Sequence, residues 1–171
     1  ADAAVSSIIT STNGVPIIVE RTMWWPGPQA SASFWTEAHN SPGATDTGTA
    51  WALAEGEAGG PRGAETYILI ANTSAFTGQA RVRVFAEDGT SAEQTVALPA
   101  NSRTTFSAAV SFPAIAGKRF GAVIESLGTT PAQITGAGSL AENPEAIRRS
   151  IGSSRSKLQV TWVAGAAGWP A

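Results

Sequence analysis

Apolar and polar positions alternate along most of the chain, and the segments they mark have strand length. "VSSIITS" (5–11) and "PIIVERTM" (16–23) flank Asn13-Gly14, the dipeptide of a tight hairpin turn. Val15, Ile17 and Val19 alternate with Pro16, Ile18 and Glu20, so this stretch predicts a buried strand. "ETYILIAN" (65–72) is a continuous apolar run suited to the middle of a sheet. In "GQARVRVFAEDGTSAEQTVALP" (78–99), Val82 and Val84 point one way, Arg81, Arg83 and Phe85 the other, and Asp88-Gly89 makes a turn. "AWALAEG" (50–56), "SRTTFSAAV" (102–110) and "LQVTWVAG" (158–165) add further strands, and "RFGAVIESL" (119–127) with "PAQITGAGSL" (131–140) predicts a further pair.

Between these runs lie Pro/Gly/Ser/Thr-rich stretches such as residues 26–49, which predict irregular structure. One segment reads as helix: "ENPEAIRRSI" (142–151), with Asn143 as N-cap, Pro144 at the first position and arginines near the end. Nine or ten short strands with turn signals every 8–12 residues are the pattern of an all-β, immunoglobulin-like β-sandwich.

The chain also matches itself. At an offset of 115 positions, "IITSTNGVPIIV" (8–19) falls on "VIESLGTTPAQI" (123–134): Ser11 meets Ser126, Pro16 meets Pro131, and Val5 meets Phe120. Both segments read as strand, turn ending in Pro, strand. A period of this size suits a sandwich of ~100 residues.

Composition narrows the class. Of 171 residues, 43% are hydrophobic and 14% charged, against ~25% charged in ordinary soluble domains. The formal net charge is -2, which argues against an electrostatic grip on nucleic acid or an anionic membrane. No apolar run approaches the ~18 residues of a membrane-spanning helix. With no cysteine there is neither a disulfide framework nor a thiolate metal site. Low charge with abundant Ser, Thr and Gly fits an extracellular or cell-surface bacterial protein.

Little in the sequence carries chemistry. His39 is the sole histidine and sits in a polar stretch, with no His-Glu-x-x-His and no Gly-x-Ser-x-Gly elbow around it. The carboxylates Glu55, Glu57, Glu87 and Asp88 read as turn and strand-edge residues, and Gly59, Gly60 and Gly63 as a flexible connection. No cofactor is expected. Calcium stays open because oxygen-rich loops bind it, although the chain has only three Asp and no Asp-x-Asp-x-Asp-Gly loop. The anomaly is tryptophan, six against one tyrosine. Trp51 and Trp162 are expected inside the sandwich. For Trp24, Trp25, Trp35 and Trp169 three readings stay open: cover for the end of the sandwich, anchors at a subunit contact, or a stacking platform for sugars.

"VPIIVERTMWWPG", "EAHNSPGATDTGTAWALAEGEAGG", "ETYILIANTS", "VRVFAEDG" and "LPANSRTTF" together resemble a bacterial extracellular immunoglobulin-like repeat, found in tandem at the C-terminal ends of large secreted or surface proteins. The resemblance covers most of residues 5–140, and "VTWVAGAAGW" is similar to the way such proteins end. It implies that a repeat opens near the Trp-x-Leu-Ala-Glu-Gly segment (51–56) and closes near the Val-x-Glu-Arg-x-x-Trp segment (19–24). It implies a fold and a location, and no activity. The second closing segment departs from the pattern: "AQITGAGSL" lacks the Glu-Arg and both tryptophans.

The expectation is therefore a strand hairpin over 1–26 (the tail of a preceding repeat, or donor strands), a linker over 27–49, a sandwich repeat over 50–140, and a short helix and strand over 141–171. The expected function is that of a non-enzymatic extracellular structural module that associates with itself or with neighbouring repeats, head to tail, through its terminal strands. The candidate contact residues are Val5, Ile8, Ile9, Val15, Ile17, Val19, Met23, Trp24, Trp25, Trp35 and Trp169. The alternative is a carbohydrate-binding or adhesive module using the exposed tryptophans.

Overall fold

The computed structural model describes residues 6–25, 37–60, 65–141 and 163–164. Their architecture is an all-β sandwich of two antiparallel sheets, accompanied by a two-stranded ribbon. The ribbon is β1 (Glu20–Trp25) with β2 (Glu37–Pro42). The sandwich strands are β3 (Ala50–Glu57), β4 (Glu65–Asn72), β5 (Gly78–Ala86), β6 (Ser91–Leu98), β7 (Ser102–Ser107), β8 (Arg119–Ser126), β9 (Ile134–Ala141) and β10 (Val163–Ala164). One sheet runs β10-β3-β8-β5-β6 and faces the second, β7-β4-β9.

The alternation in the sequence sets the packing. Val82 and Val84 are buried while Arg81 and Arg83 are half-exposed and Phe85 is exposed on the other face, so β5 reads as predicted. β5 and β6 form a hairpin closed at Asp88-Gly89, where Gly89 takes a left-handed φ of +84°. β4 is the centre of its sheet, with Ile68 and Ile70 fully buried. These side chains meet Trp51, Leu53, Leu98, Phe120, Ile124 and Ile134 in one core, and every described residue of that core lies between Trp51 and Ile134. Burial of this apolar surface is the main stabilising term.

One side of the sandwich is laced by main-chain bonds. Gly48 N donates to Ile134 O at 2.9 Å, and Ile134 N to Gly48 O at 2.8 Å. Next to it β3 carries a bulge: Leu53 pairs with Ala122, but the next pair is Gly56 with Phe120, so β3 spends one residue more than β8. The bulge lays Gly56 on the Phe120 ring, where a Cβ would come within 2.6 Å of the ring edge.

Several expectations are corrected. No strand forms over residues 6–19, so 5–11 and 16–23 make no hairpin; residues 20–25 pair instead with 37–42, inside the segment expected to be loop. Residues 8–18 are also not buried. The 115-residue repeat is therefore not matched strand for strand: 119–126 is β8, whereas the described residues at its offset, 6–11, form no strand. The 119–127 and 131–140 segments do not pair with each other. β8 lies between β3 and β5, and β9 joins β4 in the opposite sheet, so residues 127–133 cross the sandwich. The strand over 102–110 stops at Ser107. Its hydroxyl caps a single helical turn, α1 (Ala108–Ser111), and a 3₁₀ turn over Pro113–Ile115 follows. Those turns bring Phe112 and Ile115 into the core, with Phe112 edge-to-face against Phe106 at 6.2 Å. The helix expected over 142–151 lies outside the described residues, as do Val5, Trp35, Trp162 and Trp169.

Candidate assembly surface

The N-terminal segment carries the largest apolar exposure in the described structure. Ile8, Ile9, Val15, Ile17 and Ile18 are 74%, 57%, 56%, 52% and 90% exposed. Beyond them, the exposed large apolar residues are Phe76, Phe85 and Val110, scattered over the sandwich. Scattered apolar residues need no explanation, whereas five on one short segment set it apart from the rest of the described surface. The Asn-Gly turn does form locally. Asn13 Oδ1 accepts from Ser11 Oγ at 2.9 Å and from Val15 N at 3.2 Å, and Gly14 takes φ +73°. Its two arms pair with no described strand and not with each other. Val19 is half-buried, and its carbonyl accepts from Gly43 N at 2.8 Å, which ties the end of the segment to the residue after β2.

Met23, Trp24 and Trp25 stand on β1, in register with His39, Ala38 and Glu37 of β2. His39 is thus a strand residue, not part of an irregular loop. Burial lowers the proton affinity of the Arg21 guanidinium. It does the same for Arg103 on β7, with the positive charge of Arg21 as a second cause, so the ribbon lies within electrostatic reach of that strand.

The outer face of the five-stranded sheet is charged. Glu125 Oε2 accepts from Arg81 Nη2 and Arg83 Nη2, both at 3.0 Å, and Arg83 lies over Phe85 at 6.0 Å from the ring centre. Exposed pairs of this kind contribute about 0–1 kcal/mol and serve solubility more than stability.

Polar groups inside the sandwich are fasteners. The Trp51 indole Nε1 donates to Ile134 O at 2.7 Å, which joins the two sheets. Thr66 Oγ1 accepts from Glu57 N and donates to Glu57 O, both at 2.9 Å. Asn72 Nδ2 donates to Phe76 O, Leu98 O and Pro99 O, and Asn72 Oδ1 accepts from Ser74 N. Thr66 and Asn72 went unremarked in the sequence, yet both sit in "ETYILIAN", and a polar residue in an otherwise apolar strand is the signal that marks them. The carboxylates do not converge. Glu55 is exposed, while Glu57 is buried with its Oε2 3.8 Å from Arg119 Nε. Among the described residues, no three His, Asp or Glu side chains group as metal ligands would. No helix among them is long and apolar enough to cross a membrane.

Thus the fold is a β-sandwich, and its most conspicuous described surface is an apolar segment that no described strand pairs. No protein-family model matches the chain. No curated protein sequence matches it. Solved structures similar to it include that of Thermotoga maritima 1070, at 16% identity and a TM-score of 0.46 over 67% of this chain and 88% of that one. Another is the Anabaena sensory rhodopsin transducer, at 25% identity and a TM-score of 0.41 over 52% of this chain and 90% of that one.

Proposed function

We propose that this protein is a non-enzymatic structural module of an extracellular assembly, joined head to tail to its neighbour through its N-terminal residues. The observation that carries this reading is the set Ile8, Ile9, Val15, Ile17 and Ile18, exposed on backbone that none of the described strands pairs. Added-strand contacts draw affinity from backbone hydrogen bonds and specificity from alternate side chains, and this segment offers both. A contact of that kind is heterologous, so it propagates into a filament or array unless the geometry closes it. The low charge and the Ser, Thr and Gly content support an exported setting, as does the resemblance to surface-protein repeats.

The test is the mass of the native particle, from light scattering on a sizing column with negative-stain microscopy of the same fraction. Oligomers or fibres are expected from the whole chain, and a folded monomer from a variant lacking residues 1–26, because the described core draws nothing from them. A monomer of 17.4 kDa at every concentration tested would remove the proposal.

A further inference from the structure

The exposed segment carries a register, and that register says what covers it. At the 115-residue offset, Ile9 takes the place of Ile124, Ile17 of Ala132 and Val19 of Ile134, all three fully buried. Val5 takes the place of Phe120, and the small Ser7 that of Ala122, both buried. Conversely, Ile8 falls on Val123, which is half-exposed on the outer face, and Ile18 on the exposed Gln133. The inward and outward positions of β8, of the crossing and of the start of β9 thus recur in residues 5–19, but here Ile9 and Ile17 are exposed and Val19 is only half-buried. The two arms also fail to pair with each other, as their counterparts do, because β8 and β9 belong to opposite sheets. The correspondence ends where β1 begins: Arg21 stands where β9 has Gly136, whose missing side chain makes room for Trp51 and Ile124.

From this we infer that residues 5–19 are the penultimate strand and crossing of a second sandwich, and that their occupant is a sandwich of this same build lacking its last two strands. The partner would supply the equivalents of β3 to β7. Ile9 would enter between partners equivalent to β3 and β5, the neighbours that β8 has here. Ile17 and Val19 would close the core from the opposite side. This sandwich cannot serve as that acceptor, since its own β8 and β9 already fill both places. The inference rests on the assembly reading above and specifies the partner that reading leaves open.

The test fuses a second copy of residues 44–118 directly ahead of residue 4 of the whole chain, so that residue 4 follows 118 as residue 119 does here. Hydrogen exchange is then followed across residues 6–19. Protection is expected to rise by roughly 100-fold or more, and the added copy to unfold cooperatively. Ile9→Asp or Ile17→Asp in the fusion should abolish that protection, whereas Ile18→Asp should leave it in place. If the fusion is insoluble, residues 44–118 are supplied in trans during refolding of the whole chain, with the same readout. Unchanged exchange at 6–19 in both formats overturns the inference, as does equal sensitivity to Ile9→Asp and Ile18→Asp. A chain that polymerises by itself while its fusion gains no protection keeps the assembly reading and loses this register. A monomeric chain whose fusion also gains none loses both.

Discussion

The indole of Trp51 on β3 donates its one hydrogen bond to the carbonyl of Ile134, 83 residues further along and in the opposite sheet. That carbonyl also accepts from Gly48 N, so two donors from the start of β3 converge on the start of β9. Trp51→Phe keeps most of the ring in the core and removes the donor. The expected loss is about 1 kcal/mol, and Trp51→Ala should lose roughly 3–5 kcal/mol because it also opens a cavity. Urea unfolding of the two variants measures both, and a Trp51→Phe variant as stable as the parent would show that the hydrogen bond contributes nothing.

Asn72 is the most heavily used polar side chain in the sandwich. Its amide nitrogen serves three carbonyls around the β4 end and the β6–β7 connection, and its oxygen holds Ser74 N. Asn72→Ala removes all four bonds, of which the one to Leu98 O is buried, so a loss of roughly 1–3 kcal/mol is expected. Asn72→Asp should be worse at neutral pH than in acid, because a carboxylate cannot donate and a protonated acid can. Thermal melts at two pH values test the sign.

Gly56 has no room for a methyl group beneath the Phe120 ring. Gly56→Ala should cost about 1–3 kcal/mol by overpacking. Phe120→Leu in the same chain should return part of that loss, since it removes the ring edge that the new Cβ meets. A double-mutant cycle reads the coupling directly, and strict additivity would contradict this contact.

Asp88 sits in the β5–β6 turn. The hydrogen bond from Lys118 holds its carboxyl far below the ordinary 3.8, aided by bonds from Thr90. With the folded value depressed, the resulting stabilisation is complete above the unfolded carboxyl range and is lost as pH falls through the folded value. Lys118→Met should move the Asp88 midpoint upward toward 3.8, followed by carboxyl chemical shifts. An unmoved midpoint would assign the shift to Thr90 alone.

The N-terminal isoleucines should be silent in the isolated sandwich. Ile9→Asp and Ile17→Asp remove nothing from the described core, so stability should change by less than ~0.5 kcal/mol while self-association falls. A large loss of stability would place these side chains in the core after all.

The sequence by itself determined the class of fold and most of its strands. Period-two alternation exposes one face to water and buries the other whatever the partner strand is, so Val82 and Val84 were legible as core without knowledge of their neighbours, and the continuous apolar run over 65–72 marked a central strand. The strings that carried the resemblance also have a packing origin: Trp51 bonds across the sheets, Leu53 fills the core and Gly56 admits Phe120. Pairing was not legible. Asn13-Gly14 and the turn before Pro131 look alike as local chemistry, and both suggested hairpins. Whether two adjacent strands pair or part depends on which edges are still open when the sheets form. β8 found β3 and β5, and β9 found β4, so the chain crossed between sheets. Residues 6–19 pair with no described strand, and the places that their counterparts take, between β3 and β5 and beside β4, are held here by β8 and β9. Only the tertiary structure decides that competition, since a strand's hydrogen bonds are satisfied by residues distant in the chain, and that is why an apolar segment that reads as core stands in water here.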